Sequence, residues 1–214
     1  MLNTSSFCTT EKWRKDMQNK VHIYYAVMPK KVSVLPLESK RRNDYIDACL
    51  SQKTKEERYF VWKLLEYALK DISDKPIKEY DFTQNKNGKW WCNDLNFSLS
   101  HSGEIVAVAL CQERVGIDVQ KEKTINTLAL AKKILTEKEF QELDSAKDKN
   151  AFLLQKWAQK ECVYKMLENN APFTQIQTSN YILDNKVVVI DSQKYFIVTS
   201  CDKPIEFEYH IATL

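Results

Sequence analysis

Val115-Gly116-Ile117-Asp118-Val119-Gln120, read with Trp157-Ala158-Gln159-Lys160-Glu161-Cys162-Val163-Tyr164-Lys165, decides how this chain folds. The first stretch alternates as a short strand. Val115, Ile117 and Val119 form an apolar face, and Gly116, Asp118 and Gln120 form the other. The second lies inside a longer helical run, opened by Asp148 or Asn150 as N-cap and continuing to about Leu167. Leu154, Trp157, Ala158 and Glu161 share one face at helical spacing, so Glu161 projects from an apolar stripe. Acids in such surroundings are costly to desolvate unless a cation compensates them. One on a strand and one on a helix suggest a bound metal more than a surface ion pair. Gly116 removes the side chain beside Asp118 and lets a ligand approach the backbone. Taken alone, Glu161 and Lys165 read as an i,i+4 helix pair worth about 0.2–0.5 kcal/mol.

Working outward, Asn96-Phe97-Ser98-Leu99-Ser100-His101-Ser102-Gly103 precedes an apolar run over residues 105–110 and reads as strand, turn, strand. Ser100, His101 and Ser102 crowd the turn with donors, and Gly103 permits a tight bend. Gln112-Glu113-Arg114 joins the next two strands as a hairpin. Upstream, residues 21–27 read as a strand and residues 37–50 and 54–71 as helices, with short strands near 80–83, 89–92 and 97–100. Downstream, helices are expected over 124–135 and 136–143, the second with a capping box from Thr136 and Glu139. After Pro172, strands recur near 186–190, 195–200 and 205–212. Helices followed by antiparallel strands thus occur twice, an α+β pattern of two similar lobes. The expected division is a polar N-terminal extension over 1–20, an N-terminal lobe over 21–118 and a C-terminal lobe over 119–214.

The 214 residues are 43% apolar and 29% charged, with a net charge of +3. That is ordinary for a soluble globular chain and too mild for a general nucleic-acid binder, though it suits an anionic cofactor and an acidic protein partner. The six cysteines form no C-x-x-C pair, which argues against zinc binding and against a dense disulfide framework, and suits a reducing cytosol. Cys162 has no base nearby in sequence and reads as structural. No stretch approaches a membrane span, and the first twenty residues lack an apolar signal core. No Walker or G-x-G-x-x-G loop is present.

The order FSLSHSGEIVAVAL, VGIDV, KWAQKECVYK, preceded by Asn87-Gly88-Lys89, resembles the 4'-phosphopantetheinyl transferases, and in particular the Sfp-type. The resemblance implies an α+β pseudo-dimer of two similar α/β lobes. It also implies a Mg2+-dependent, monomeric, cytoplasmic enzyme. Such an enzyme moves the 4'-phosphopantetheine arm of coenzyme A to a serine of an apo acyl, peptidyl or aryl carrier protein, releasing adenosine 3',5'-bisphosphate. By similarity, Asp118 and Glu161 hold the metal, Glu161 doubles as general base, and Lys165 binds the pyrophosphate. Ser100 and His101 contact the 3'-phosphate region of coenzyme A, with Lys89, Arg58 and Lys160 as further phosphate contacts. Arg41 and Arg42 read as a solvated face. Many members carry a third acid where this chain has Gln120, which is carried as a neutral metal-site residue. A non-catalytic relative that binds coenzyme A or carrier proteins is the alternative that Gln120 keeps open.

Overall fold

The computed structural model describes residue 17 and residues 19–30, 34–85, 88–168, 171–203 and 205–214. Residues 1–16 and 18 of the expected N-terminal extension, and Asn87 of the Asn87-Gly88-Lys89 element, lie outside the described residues; Met17 is buried.

Two antiparallel-rich sheets pack face to face, each with a helix on its outer side. Strands β1 (Lys20–Val27), β4 (Asn96–Ser102), β5 (Ile105–Cys111) and β9 (Glu206–Ile211) form the first sheet in the order β4-β5-β1-β9. Strands β6 (Val115–Lys121), β8 (Gln193–Cys201) and β7 (Ile182–Ile190) form the second in the order β6-β8-β7. The short pair β2 (Phe82–Gln84) and β3 (Trp90–Cys92) stands apart. Helices α1 (Lys40–Asp47) and α2 (Gln52–Ile72) belong to the first half; α3 (Thr127–Ile134), α4 (Glu137–Ser145) and α5 (Lys149–Leu167) belong to the second.

The α+β class follows from this arrangement, and β5 shows why the sequence folds so. All seven of its residues are buried. Val106, Val108 and Leu110 pack under α2 with Phe60, Leu64 and Ala68, while Ile105, Ala107 and Ala109 meet Ile117, Val119 and Ile197 of the second sheet. A strand covered on both faces shows a continuous apolar run rather than alternation. The far face of the second sheet is closed by α5, through Ala158, Cys162 and Val163 against Val198. Helices α3 and α4 cover the other side of α5, through Ala131, Ile134 and Leu143 against Leu153. That double burial is why α5 is apolar around most of its circumference.

Several sequence expectations hold in detail. Thr136 and Glu139 form a capping box, and Asp148 caps α5 by accepting from Ala151 N–H. The hairpin between β5 and β6 is corrected: β5 pairs with β1 and β4, and β6 pairs with β8. The Gln112-Glu113-Arg114 turn carries the chain from one sheet to the other. Alternation in the two runs cannot distinguish a partner in the same sheet from one in the facing sheet. Residue 118, the expected lobe boundary, lies inside β6, and β9 returns to pair in parallel with β1. Arg42 is also corrected, because it is 2% exposed and stacked among Tyr45, Trp62 and Trp90 rather than solvated. Arg41 is exposed and meets Asp81. Among the described residues, no helix is long and apolar enough to cross a membrane.

Candidate active site

The site is built where β6 meets α5. A Cβ on Gly116 would lie 1.8 Å from the Cys162 carbonyl oxygen and 3.0 Å from Met166 N. Gly116 therefore admits the helix backbone itself, and the expectation that it clears space for a ligand is corrected. Only a glycine allows a strand and a helix to touch backbone to backbone in this way. The close approach brings Lys165 against Asp118, with Glu161 one helical turn before it.

Asp118 is 4% exposed and fully partnered. Its Oδ1 accepts from Lys165 Nζ at 2.7 Å and from Ser100 Oγ at 2.9 Å, and its Oδ2 accepts from Gln120 Nε2 at 2.7 Å. Gln120 thus meets Asp118 as a donor; a carboxylate in its place could only accept and would face Asp118 favourably only with a cation between the two. Lys165 also donates to the Ile117 carbonyl at 3.0 Å and to Ser100 Oγ at 3.2 Å. An ammonium has three donors, so all of its capacity is committed in this state. Lys165 supplies the positive charge that lets Asp118 stay buried.

Glu161 stands differently. Burial pushes its carboxyl above the usual range; the Lys165 ammonium opposes this, and the Asp118 carboxylate adds to it. No hydrogen bond from a described residue offsets that burial. Glu161, Lys165 and Tyr164 line a cavity of about 310 Å3 together with Lys89, Trp90 and Leu99. The volume is at the lower end for a small-molecule site.

Ser100, expected as a phosphate contact, is engaged inside the protein in this structure. It is 6% exposed, and besides binding Asp118 and Lys165 it accepts from Val119 N–H at 3.1 Å. Ser98 and Ser102 accept likewise from Ile117 N–H and Lys121 N–H. Three hydroxyls on one face of β4 therefore satisfy the edge of β6, stitching the two sheets together at the site. The spacing of Ser98, Ser100 and Ser102 at every second residue was the available signal. Side-chain acceptors for an unpaired strand edge are what buried N–H groups require.

His101 points to the other side of β4, with Nδ1 3.7 Å from Glu57 of α2. Burial lowers its pKa, Glu57 opposes this, and Lys165, Asp118 and Arg58 all act on it, so it belongs to the same neighbourhood. Glu57 is a member that the sequence reading missed. Arg58 lies over the Tyr45 ring at 4.2 Å and donates to Cys49 Sγ. Lys89 donates to the Lys165 carbonyl at 2.7 Å and to Glu168 at 2.6 Å, bridging the β3 side of the cavity to the end of α5.

Lys160 is not brought to the site. It is 0% exposed, and its Nζ meets Glu139 at 2.8 Å and the Phe173 and Ile176 carbonyls at 2.9 and 2.7 Å. Removing one partner of a buried pair strands the other. Lys160→Met is therefore expected to lower unfolding stability by about 3–5 kcal/mol while leaving ligand binding at the Asp118 site unchanged in the folded variant. Denaturant unfolding together with ligand titration checks both halves, and a selective loss of affinity would restore Lys160 to the binding set. Cys162 is fully buried, and burial pushes its thiol up to about 12, which suits a structural residue and not a nucleophile.

Comparison with known proteins adds a family to this geometry. Residues 114–212 match the 4'-phosphopantetheinyl transferase superfamily. The matched segment contains Asp118, Gln120, Glu161 and Lys165, and the resemblance read from their motifs is borne out there. A curated relative, 4'-phosphopantetheinyl transferase psf-1 of Bacillus pumilus, is 31% identical over 108 residues, which are 48% of this chain and 46% of that protein. The chain thus matches about half the length of that relative. The crystal structure of Thermotoga maritima holo-[acyl-carrier-protein] synthase superposes with a TM-score of 0.33 at 20% identity, over 42% of this chain and 63% of that one, a likeness too partial to define the fold.

Proposed function

We propose that this protein transfers the 4'-phosphopantetheine arm of coenzyme A to a serine of an apo carrier protein and releases adenosine 3',5'-bisphosphate. The observation that supports the reading is that Lys165, bonded to the buried Asp118 at 2.7 Å, lines one cavity with the buried Glu161, whose charge feels both residues, in a segment that matches the transferase superfamily.

The carrier serine oxygen forms a bond to the β-phosphorus of the pyrophosphate, counted from the adenosine. The bond from that phosphorus to the bridging oxygen breaks, and the bisphosphate leaves with the electron pair. The serine proton must go to a base, and Glu161 is a carboxylate whose basicity burial raises. Lys165 stabilises pyrophosphate charge by exchanging one of its three internal acceptors for a phosphate oxygen. His101, with Arg58 near it, is assigned to the 3'-phosphate end, and Arg58 and Lys89 are further candidate phosphate contacts.

The residues fit a Mg2+ ion. Asp118 and Glu161 offer hard oxygen donors; Glu161 has burial without a compensating hydrogen bond among the described residues, and Asp118 would take the ion in exchange for its Lys165 or Gln120 donor. When bound, Mg2+ would be held by these two acids, with Gln120 as a neutral neighbour, and would neutralise pyrophosphate charge.

The test is to mix the purified protein with coenzyme A, Mg2+ and an apo carrier protein and to weigh the carrier by mass spectrometry. The carrier is expected to gain the arm, and Asp118→Asn is expected to slow that gain by about 10²–10³-fold. Coenzyme A binding without mass gain indicates a non-catalytic relative. Neither binding nor gain ends the reading.

A further inference from the structure

The first and last strands bring together three donor side chains that the transfer chemistry does not use. β1 and β9 pair in parallel with His22 opposite Glu208 and Tyr24 opposite His210. His22 Nδ1 and His210 Nε2 lie 3.4 Å apart, and Glu208 Oε1 lies 3.7 Å from His210 Nε2. One ligand atom from each residue lies within 4.8 Å of the other two, and no other group of this kind occurs among the described residues. Zinc–nitrogen bonds of about 2.0–2.1 Å place two tetrahedral ligands about 3.4 Å apart, which is the separation of the two ring nitrogens.

The surroundings hold this arrangement. Lys20 Nζ takes Glu208 Oε2 at 2.9 Å, leaving Oε1 on the histidine side. Tyr24 stacks on the His210 ring at 4.4 Å and is itself anchored by a hydrogen bond to Asp71, so the imidazole plane is fixed. His22 is buried, whereas the His210 and Glu208 side chains are 26% and 37% exposed, so the cluster opens to water on one side.

We propose that His22, Glu208 and His210 bind Zn2+, with water as the fourth ligand, as a clamp fastening the last strand to the first. Two imidazoles and one carboxylate suit zinc better than the all-oxygen preference of Mg2+. The absence of C-x-x-C pairs, which argued against zinc, excludes only cysteine-built sites. These ligands come from opposite ends of the chain, at positions that no sequence spacing connects.

Zinc chloride titration of the full chain, without coenzyme A or Mg2+, tests this against His210→Ala and Glu208→Gln. The wild type is expected to bind one equivalent, with an affinity lowered about 100-fold or more by His210→Ala and about 10-fold by Glu208→Gln. Zn2+ should raise the wild-type melting temperature and leave that of His210→Ala unmoved. Co2+ in place of zinc should give a tetrahedral spectrum without thiolate charge transfer. No wild-type binding, meaning a hydrogen-bonded histidine pair only, overturns the proposal. So does a thiolate spectrum, or undiminished affinity in His210→Ala. If His210→Ala does not fold, Glu208→Gln decides, and unchanged affinity in it is equally fatal.

Discussion

Gly116→Ala is expected to destabilise the protein by about 4 kcal/mol or more, beyond the roughly 1–3 kcal/mol of ordinary overpacking. The new methyl would need to occupy space 1.8 Å from the Cys162 carbonyl oxygen and 2.8 Å from its carbon. Both atoms belong to the backbone of α5, so no rotamer change relieves the clash, and the helix must move off the strand as a body. The movement would carry Glu161 and Lys165 away from Asp118, so any folded fraction should lose transfer as well. Gly88→Ala is the control. It also replaces a glycine, at φ +82°, but its nearest neighbour is the Gln84 side chain at 3.8 Å. It should cost only the conformational penalty, about 1–2 kcal/mol. Urea unfolding of both variants separates steric contact from backbone freedom. If Gly116→Ala stays within about 1 kcal/mol of wild type, the strand-to-helix contact is not what assembles the site.

Much of this arrangement was legible beforehand because local rules determine it. The Thr136 capping box and the Asp148 cap depend on residues three apart. The acids on β6 and α5 declared themselves by standing in apolar surroundings. What depended on the third dimension was less readable. Ser100 looked like a donor in an exposed turn, yet its partners are Val119 N–H, Asp118 and Lys165, which lie 18 to 65 positions away. Lys160 and Lys165 are both lysines on one helix near one acid. Their roles diverge because α5 is covered on two sides, with Lys160 turned into the Glu139 side and Lys165 into the β6 side. Sequence spacing gives the helix face but not what covers it. The β5–β6 hairpin failed for a similar reason, since two consecutive apolar strands read alike whether they pair in one sheet or face each other across a core.

Glu161→Gln is expected to abolish transfer and to make the protein more stable. In the role proposed for it, taking the serine proton, Glu161 should contribute about 10²–10⁴-fold to the rate. The stability effect has the opposite sign because this acid lacks compensation. Its carboxyl lies above the ordinary value of 4.5 in the folded state, chiefly through burial, with Lys165 only partly offsetting that. Below pH 4.5 both folded and unfolded chains are protonated here, and the group contributes nothing. As pH rises through 4.5 the unfolded chain ionises first, so stability falls until the raised native value is passed and then levels off. The glutamine variant does not titrate, so its advantage should open across that window and persist to pH 7. Thermal melts from pH 3 to pH 8 in EDTA, which keeps divalent cations from compensating the charge, measure this directly. Asp118→Asn is expected to destabilise the protein instead, because Asp118 is paired with Lys165, Ser100 and Gln120, and its loss strands a lysine. A wild type more stable than Glu161→Gln at pH 7, or a difference that does not vary with pH, would mean that Glu161 is compensated in the fold and does not hold the reactive charge assigned to it.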